Sequence, residues 1–463
     1  MTSDCIVVGA GLAGLVTARN LQRAGHAVLV LEAHERLGGR MHGEHLPSGQ
    51  WIDRGGQWVG PTQDRVLALL DEYGVRRFPS PSKGKKVLLF DGTRHEFDGF
   101  FQGFAEGEPP GVRQEEWDDA RSAWARFDAL SRALPPGHPR RNDHNQLLDS
   151  QTFAQWISDN TRTAFGRWYF SYLARAAGFL GPEEPNQLSL LHVLWGQNCA
   201  AQSEHPEAEL IHGGAGQLPG MLAAELGGRV HLGEPVTRIT QDNAGVRVET
   251  TRDNYAATFV VVAMPPSLTG RINYDPPMPS QRAQLTQRMP MGCCAKILVS
   301  YDRPFWREKG LAGIGLGNAR WIELCADSSD PETGAGVIAT FVAGDRYRQW
   351  TRTSDADRRH AVLADLALYF GKEALSPVTY DEVDWPSEPW VGGGYAAFMP
   401  PGVWTSFGEA LTAPVGRIHW AGSEIADRWP GFFDGAVRTA EATADAIARL
   451  LQGRSPGDPA LTS

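Results

Sequence analysis

The segment DCIVVGAGLAG at positions 4–14 decides the fold of this chain. Its apolar run Cys5-Ile6-Val7-Val8 predicts a buried strand, and the apolar stripe along Leu12–Arg23 predicts a helix. Residues 27–32 are apolar again, so the chain opens with a strand, a helix and a second strand, joined by a right-handed crossover. This order predicts an α/β fold with a parallel sheet.

The glycines of the same segment lie where nucleotide-binding folds hold phosphate groups. Gly9, Gly11 and Gly14 fit the pattern G-x-G-x-x-G between a strand and a helix. The first permits a tight turn, the second lets a pyrophosphate approach the backbone, and the third allows close helix–strand packing. Glu32 ends the second strand, where its carboxylate can accept hydrogen bonds from a ribose. A chance glycine-rich turn is the alternative, and the flanking strands and Glu32 argue against it.

A second glycine pair follows in the stretch Arg36-Leu37-Gly38-Gly39-Arg40. Two glycines just after the ribose carboxylate predict another turn that approaches a phosphate. The arginine at position 40 can donate charge-assisted hydrogen bonds there. We therefore predict that the dinucleotide is a flavin.

The composition restricts the class of protein. With 463 residues, 42% of them hydrophobic and 21% charged, the chain is long enough for two globular domains. No apolar run approaches the ~18 residues of a spanning helix, so we expect no membrane segment, no signal peptide and a cytoplasmic location. Five cysteines without a C-x-x-C pair predict neither a disulfide framework nor a metal site. A net charge of −10 without a basic run argues against a nucleic-acid partner.

The rest of the chain alternates between strand and helix patterns. Asp91-Gly92 lies between two apolar runs and predicts a hairpin. Helical spacing of apolar residues from Trp117 to about Trp195, interrupted at the Pro/Gly-rich residues 135–141, predicts a helical insertion. Further predicted elements are strands at 236–240, 246–250, 259–263, 295–300 and 418–421 and a final helix at 435–451.

Several motifs together resemble the flavin-containing amine oxidases, the monoamine oxidase group, in a soluble bacterial-type member. Besides the glycine motifs and Glu32, the resemblance rests on DRGGQWVG at 53–60, the segments 213–222 and 234–236, Trp385, GGGYAAFMPPG at 392–402 and HWAGSEIADRWPGFFDGA at 419–436. These motifs cover nearly the whole chain in the family's order. The resemblance implies a Rossmann-like FAD-binding domain of the glutathione-reductase type, with an inserted substrate domain of mixed sheet and helices.

The implied FAD-binding domain is discontinuous and comprises residues 1–78, 210–280 and 385–453. The substrate-binding domain takes residues 79–209 and 281–384, and residues 454–463 form a polar tail. The resemblance implies that FAD is bound by Gly9, Gly11, Ala13, Gly14, Glu32, Ala33, Gly39, Arg40, Gly56, Gln57, Trp58, Val236, Trp385, Gly394, Gly422, Ser423, Glu424, Gly431, Phe433 and Ala436.

The FAD is expected to be noncovalent. The mitochondrial relatives carry a cysteine that is attached to the flavin, and Gly394 stands at that position here. None of the five cysteines is expected to lie near it.

The resemblance implies three residues at the reaction centre, Lys296, Tyr395 and Phe432. The lysine would hold a water against flavin N5 and assist reoxidation by oxygen. From the residues alone, strand alternation instead places Lys296 on a solvent face, with its stem covering its neighbours. Tyr395 and Phe432 would stand as two rings beside the flavin with the amine between them, and core packing is the alternative for both.

We therefore predict an FAD-dependent amine oxidase that deaminates a primary amine by hydride transfer to flavin N5, without an obvious general base. Oxygen would accept the electrons, and the products would be an aldehyde or ketone, ammonia and hydrogen peroxide. Proton abstraction through a flavin–amine adduct is the open mechanistic alternative. The expected partners are a small-molecule amine and oxygen, and a homodimer is compatible with the sequence.

The insertions are expected to set substrate choice. Their aromatic and aliphatic side chains predict an apolar pocket for an aryl or alkyl amine, lined by Phe170, Tyr172, Trp195, Trp321 and Leu324. Three carboxylates in the same regions, Glu207, Glu209 and Glu323, offer a site for a second ammonium. Such a site would favour diamines or polyamines, of the putrescine type. A solvated surface is the alternative for each carboxylate.

Two other functions stay open. Oxidation of L-amino acids needs a cation for the substrate carboxylate, and Gln57-Trp58 stands where such relatives place an arginine, so this function ranks lower. A flavoprotein that binds FAD as a redox element without oxidising amines is the alternative from a different class. Lys296 and Tyr395 argue against it by analogy.

Overall fold

The structure is a computed structural model that describes residues 3–46, 50–99, 111–176, 181–200 and 205–453. The predicted tail at 454–463 lies outside these residues. The strands are β1 (Ser3–Val8), β2 (Val28–Leu31), β3 (Gly43–His45), β4 (Trp51–Asp53), β5 (Trp58–Val59), β6 (Arg77–Pro79), β7 (Lys85–Phe90), β8 (Thr93–Phe97), β9 (Glu209–Ile211), β10 (Val230–His231), β11 (Val236–Gln241), β12 (Val246–Thr250), β13 (Asn254–Val262), β14 (Asn273–Asp275), β15 (Cys294–Tyr301), β16 (Leu311–Gly317), β17 (Leu324–Asp327), β18 (Gly336–Ala343), β19 (Thr379–Asp384) and β20 (Ile418–Trp420).

The α-helices of the same residues lie between and around these strands. They are α1 (Leu12–Arg23), α2 (Asp64–Glu72), α3 (Gln114–Arg132), α4 (Asp143–Asp149), α5 (Phe153–Asn160), α6 (Ala164–Arg175), α7 (Leu190–Ala200), α8 (Gln217–Leu226), α9 (Ser280–Arg288), α10 (Phe305–Glu308), α11 (Gly344–Trp350), α12 (Asp355–Phe370), α13 (Val403–Phe407) and α14 (Phe433–Gln452). The predicted α/β class is confirmed. None of these helices combines the length and the apolar composition that crossing a bilayer requires.

The first large sheet confirms the prediction made from residues 4–14. Its strands run in the order β10-β2-β1-β13-β12-β11-β14, with β20 also paired to β13. Strand β1 is parallel to both β2 and β13, as a strand–helix–strand unit requires. The apolar faces of α1, α8 and α14 share one buried cluster with this sheet. That packing explains why the helices are amphipathic.

The second large sheet contains the hairpin predicted at Asp91-Gly92. Its order is β19-β15-β18-β17-β16-β7-β8, and β7 pairs antiparallel with β8 across Phe90 and Thr93. Asp91 and Gly92 both have positive φ, as a two-residue hairpin turn often demands. The sheets thus draw on separate stretches of chain, while the domain borders stay a prediction.

Strand β15 shows why alternation misjudges Lys296. It lies inside the sheet between β18 and β19, and each of its residues is buried. The face that carries Lys296 also carries Leu298, which packs on Ile52 and Val337. The other face packs into a second apolar cluster. Because both faces are covered, the expectation of a solvent face for Lys296 is wrong.

The helical insertion forms an aromatic core around α3, α5, α6 and α7. Phe170 is fully buried there, with its ring 5.1 Å from that of Trp156. Trp195 is buried too, 4.8 Å from Trp404. Both side chains pack among neighbouring helices, and their place in a substrate pocket stays a prediction.

Candidate functional site

The turn between β1 and α1 has the tight geometry that its glycines predict. Gly9 has a positive φ of 106°, and its N–H donates to the Leu31 carbonyl at 2.8 Å. A Cβ on Gly14 would lie 1.9 Å from the Gly9 carbonyl oxygen, so the helix approaches the strand as closely as glycine allows. Glu32 is buried beside this turn and accepts hydrogen bonds from the N–H groups of Ala10, at 2.6 Å, and His34, at 2.8 Å.

The second glycine turn lies directly against the first. Gly11 and Gly38 form an isolated parallel bridge, and the Gly38 N–H donates to the Ala10 carbonyl at 2.9 Å. A Cβ on Gly39 would meet the Gly11 Cα at 3.6 Å, so no side chain separates the two turns. Two side-chain-free turns at a helix N-terminus suit a pyrophosphate, and these residues therefore fit FAD.

Arg40 joins this turn to both carboxyl-terminal motifs. Its guanidinium donates to the Glu424 carboxylate at 2.6 and 2.9 Å, to the Ser423 hydroxyl at 3.3 Å and to the Tyr395 carbonyl at 2.7 Å. Burial raises the pKa of the Glu424 carboxyl, but Arg40 outweighs burial and the net shift is downward. Residues predicted from three separate motifs thus meet around one bidentate ion pair.

The loop between β4 and β5, residues 53–57, brings together other residues predicted to bind FAD. A Cβ on Gly56 would lie 2.6 Å from the ring of Phe433, the first residue of α14. The Trp385 indole N–H donates to the Arg54 carbonyl at 3.2 Å. The C-terminal helix and the strand region after β19 therefore both contact this loop.

Lys296 reaches the same loop from the second sheet. Its ammonium donates to the carbonyls of Asp53 and Gly55, both at 2.7 Å, and to the side-chain oxygen of Gln57. Burial lowers the pKa of Lys296 to about 7, while nearby Asp53 and Glu207 act in the opposite direction. A buried lysine held by three acceptors on loop 53–57 has no surface role.

Tyr395 lies on the same side as Lys296. The residue near both of them is Phe341, which the sequence did not single out. Phe341 faces Lys296 across the β15–β18 register, and its ring centroid lies 5.8 Å from the Lys296 nitrogen. Tyr395 meets Phe341 edge to face, with ring centroids 5.2 Å apart and planes at 78°. Trp58 completes the group, 5.5 Å from the Lys296 nitrogen. The signal that could have identified Phe341 is an aromatic residue in the strand that pairs with the strand of Lys296.

Phe432 is placed differently. It caps the N-terminus of α14, and its ring packs edge to face on Trp429 at 5.1 Å. The Gly431 N–H donates to the Ser423 carbonyl at 3.2 Å, which fixes the approach to the helix. Of the other residues predicted to bind FAD, Ala436 lies in α14, Gly422 accepts from the Thr439 hydroxyl at 3.0 Å, and Val236 begins β11. The pairing of Phe432 with Tyr395 as two facing rings stays a prediction.

One expectation about the cysteines is wrong. Cys294 lies beside Gly394, because β15 carries it there, and its sulfur is 3.5 Å from where a Gly394 Cβ would stand. Burial raises the pKa of the Cys294 thiol, which favours the protonated form over the thiolate. Noncovalent binding of FAD stays a prediction.

The three carboxylates considered for a second ammonium have different surroundings. Glu209 pairs with Arg77 at 2.9 Å on the rim of β9. Glu323 is buried and binds Arg175 at 2.7 and 2.8 Å as well as Arg346, so it is neither solvated nor free for a ligand. The side chain of Glu207 is exposed, while the protein atoms around its carboxyl raise the pKa to about 7.

Of these three carboxylates, Glu207 is the one whose charge affects the pKa of both Lys296 and Tyr395. Its charge acts on Lys296, Tyr395 and Tyr172. Tyr172 also acts on the pKa of Tyr395. Of the predicted specificity residues, Glu207 and Tyr172 are therefore the two that act on Tyr395 electrostatically.

A polar group that could suggest a metal lies elsewhere. Ligand atoms of His212, Asp330 and Glu332 lie within 4.8 Å of one another. Arg76 binds Glu332 with two hydrogen bonds, at 2.7 and 2.9 Å, so this group forms an ion-pair network at the surface.

The sequence and the architecture were compared with known proteins. The pattern of a family described as flavin containing amine oxidoreductase matches residues 12–448. An L-amino acid dehydrogenase of Synechocystis sp. is 69% identical over 97% of this chain and 95% of its own. The flavin-containing amine oxidase A of Equus caballus is 32% identical over 97% of this chain and 85% of its own.

Two solved structures share the fold. A putrescine oxidase bound to putrescine superposes with a TM-score of 0.91 at 30% identity, covering 97% of this chain and 99% of the other. Cyclohexylamine oxidase from Brevibacterium oxydans gives 0.91 at 29% identity, covering 98% and 100%. These likenesses agree with the glycine turns, the buried lysine and the motif order. The chain belongs to the flavin-containing amine oxidoreductase family, and its cofactor is FAD.

Proposed function

We propose that this protein oxidatively deaminates a primary amine, with oxygen as electron acceptor and an aldehyde or ketone, ammonia and hydrogen peroxide as products. Bound FAD supplies the acceptor for the hydrogen and electron pair of the amine C–H bond. The observation that carries the proposal is the buried Lys296, held at loop 53–57 among the rings of Trp58, Phe341 and Tyr395.

The aromatic residues bind and orient the amine in this proposal. The rings of Tyr395 and Phe341 stand at 78° to each other, and the Phe341 ring lies 5.8 Å from the Lys296 nitrogen, so both rings lie near the lysine. Phe432 would form the opposite wall. Apolar walls favour the neutral amine, which is the form that can be oxidised at carbon. Tyr172 extends the same surface towards the helical insertion.

The ionised residues have two roles. Glu207 would attract the protonated amine, or bind a second ammonium on a diamine, because its negative charge acts on Tyr395 and Lys296. Lys296 would place a positive charge at loop 53–57, where it could stabilise the negative charge that develops on oxygen during reoxidation. The glycine turns, Glu32 and Arg40 would hold the FAD noncovalently.

The test is anaerobic mixing of the FAD-loaded protein with single amines while the flavin band near about 450 nm is followed. Benzylamine, tyramine and putrescine separate a monoamine site from a diamine site. Bleaching by one of these amines, followed by recovery of the band and peroxide release on admission of air, is the expected result. No bleaching by any amine would defeat the proposal and favour a non-catalytic flavoprotein.

A second candidate substrate is an L-amino acid, favoured by the 69% identity to a protein named L-amino acid dehydrogenase. Such a substrate needs a cation for its carboxylate. Arg175 and Arg346 are the candidates for this cation, because both pair with Glu323, whose charge acts on Tyr172. Both arginines are already bound to Glu323, so neither is free to bind a substrate carboxylate. This pairing is why the amine ranks first.

Matched pairs that differ only in the carboxylate decide between the candidates. L-Phenylalanine is compared with phenethylamine, and L-lysine with cadaverine, under the same anaerobic conditions. Faster bleaching by the amine of each pair supports the amine oxidase, and faster bleaching by the amino acid supports the second candidate. Repeating the turnover with oxygen and with an artificial electron-accepting dye separates an oxidase from a dehydrogenase.

A further inference from the structure

Gln57 forms a hydrogen bond with Lys296 that has no role in the proposed function. Its side-chain oxygen accepts from the Lys296 ammonium, and its side-chain nitrogen donates to the Ser328 hydroxyl at 2.7 Å. Gln57 is 2% exposed, so both contacts are made away from bulk solvent. The residue was predicted to bind FAD, yet its side chain is fully engaged between Lys296 and Ser328.

The orientation of the Gln57 amide follows from the chemistry of its neighbours. A lysine ammonium has donors only, so the amide must present its oxygen to Lys296. The nitrogen then faces Ser328, whose hydroxyl can accept and whose own hydrogen points at the Ala326 carbonyl, 3.5 Å away. Ser328 thus holds Gln57 in the one orientation that serves an ammonium.

The number of acceptors around Lys296 matches its charged form. The ammonium has three hydrogens, and the acceptors are the Asp53 carbonyl, the Gly55 carbonyl and the Gln57 oxygen. A neutral amine has two hydrogens and a lone pair, so its lone pair would face one of these oxygens without a proton between them. Three acceptors therefore oppose the deprotonation that burial favours.

The other groups that face Lys296 can be named element by element. Asp53 lies on loop 53–57, Glu207 precedes β9 and Cys294 lies on β15 itself. The flanking strands place uncharged residues opposite Lys296, Phe341 from β18 and Val383 from β19. Gln57 is the neutral side chain that takes a hydrogen bond from the ammonium directly.

A pocket gives this arrangement a connection to the surface. A cavity of about 400 Å³ is lined by Gln57, Ser328 and Leu298, and at its outer end by the exposed pair Arg76 and Glu332. Leu298 lies two residues after Lys296 on the same face of β15. The cavity thus borders Gln57 and Ser328, while Lys296 itself is buried.

We infer that Gln57 is a positioning residue that keeps Lys296 charged at loop 53–57, and that Ser328 fixes the Gln57 amide for this purpose. The inference concerns the lysine on which the proposed function rests. Its measurement needs no amine, so the two can fail separately.

The experiment measures the pKa of Lys296 by NMR in FAD-loaded protein grown with ¹³C-labelled lysine. The chain has six lysines, and the signal that disappears in Lys296→Met assigns the residue. In Gln57→Leu the third acceptor is lost, and we expect the pKa to fall by at least about one unit, a tenfold change in the dissociation constant. In Gln57→Glu the added negative charge should raise the pKa, and Ser328→Ala should lower it less than Gln57→Leu does.

Gln241→Leu is the matched control. Gln241 also bridges two groups through its amide, the Val415 carbonyl and the Arg417 N–H, but it lies on β11. It should leave the pKa of Lys296 unchanged, and thermal unfolding checks that each variant is folded. Equal pKa values in wild type, Gln57→Leu and Gln57→Glu would overturn the inference, as would shifts of the same sign in the last two. Opposite shifts in a protein that oxidises no amine would instead defeat the proposed function and leave this inference standing.

Discussion

At the scale of the residue, the molecule places the buried cation Lys296 at loop 53–57. The charged form of a lysine in such a place depends on hydrogen-bond acceptors and on nearby negative charges, since burial favours the neutral form. The structure supplies those acceptors from two backbone carbonyls and one side chain. A residue with this environment is a candidate for function because it has little to offer stability.

Lys296→Met should separate the two halves of the proposed reaction. Methionine has a similar shape but no charge, so the amine can still enter and reduce the flavin. Reoxidation by oxygen loses its nearby positive charge and should slow by about 100-fold. Stopped-flow measurement of each half-reaction checks this, and equal slowing of both would contradict the role given to Lys296.

Glu207→Gln should change the choice of substrate. If the carboxylate binds a distal ammonium, KM for a diamine should rise about tenfold, equivalent to ~1.4 kcal/mol, while KM for a monoamine of the same length changes little. Glu209→Gln is the control, since Glu209 pairs with Arg77 on the rim. Identical effects of the two variants on diamine KM would count against Glu207 as the anchor.

At the scale of the element, the first strand–turn–helix tolerates almost no added volume. Gly14→Ala would place its methyl group 1.9 Å from the Gly9 carbonyl oxygen, and both atoms belong to packed elements. We expect a loss of about 3 kcal/mol in the free energy of unfolding, together with a lower FAD content.

Gly220→Ala is the control for Gly14→Ala, and its expected effect on stability has the opposite sign. Gly220 lies within helix α8, and a Cβ there meets no atom within 4 Å. Alanine should stabilise the protein by about 1 kcal/mol, because glycine is a poor helix former. Denaturant unfolding of both variants gives the comparison, and a neutral Gly14→Ala would show that the turn can relax.

Elements that are specified by local sequence patterns are the parts of the fold that could be predicted. Strand β1, helix α1 and the hairpin at Asp91-Gly92 are specified by local patterns, and the structure confirms them. The burial of Lys296 depends on the strands that pair on either side of β15. No local pattern carries that information, so alternation gave the wrong face.

The site could be predicted only in part from the sequence, because several of its side chains contact partners that are distant along the chain. Glu323 looked free in the sequence, whereas Arg175 and Arg346 neutralise it in the fold. Phe341 was missed because its place beside Lys296 follows from antiparallel register. The motifs for FAD could be recognised because each is contiguous and carries its own geometry.

At the scale of the whole molecule, two titrating residues should shape the dependence of stability on pH. The pKa of Lys296 falls from 10.5 to about 7 on folding, so the unfolded chain binds more protons between these values and stability rises with pH there. The pKa of Glu207 rises from 4.5 to about 7, so the folded chain binds more protons and stability falls with pH across that interval. Together these residues favour a minimum of stability near neutral pH.

Urea unfolding of the FAD-loaded protein at about pH 5, 7 and 9 tests this expectation. Glu207→Gln should remove part of the loss between the first two values, and Lys296→Met part of the gain between the last two. Curves for the variants that run parallel to the wild-type curve across the whole range would show that neither group titrates as described.

The closeness of Cys294 and Gly394 matters to anyone who would engineer this enzyme. A cysteine introduced at position 394 to tether the cofactor permanently would arrive with a native sulfur 3.5 Å from its own Cβ. Hydrogen peroxide from the proposed reaction could oxidise the two thiols to a disulfide, with release of two waters, and this would consume the intended anchor before any tether formed. Cys294 should therefore be replaced by alanine first, and only then should the anchor be installed.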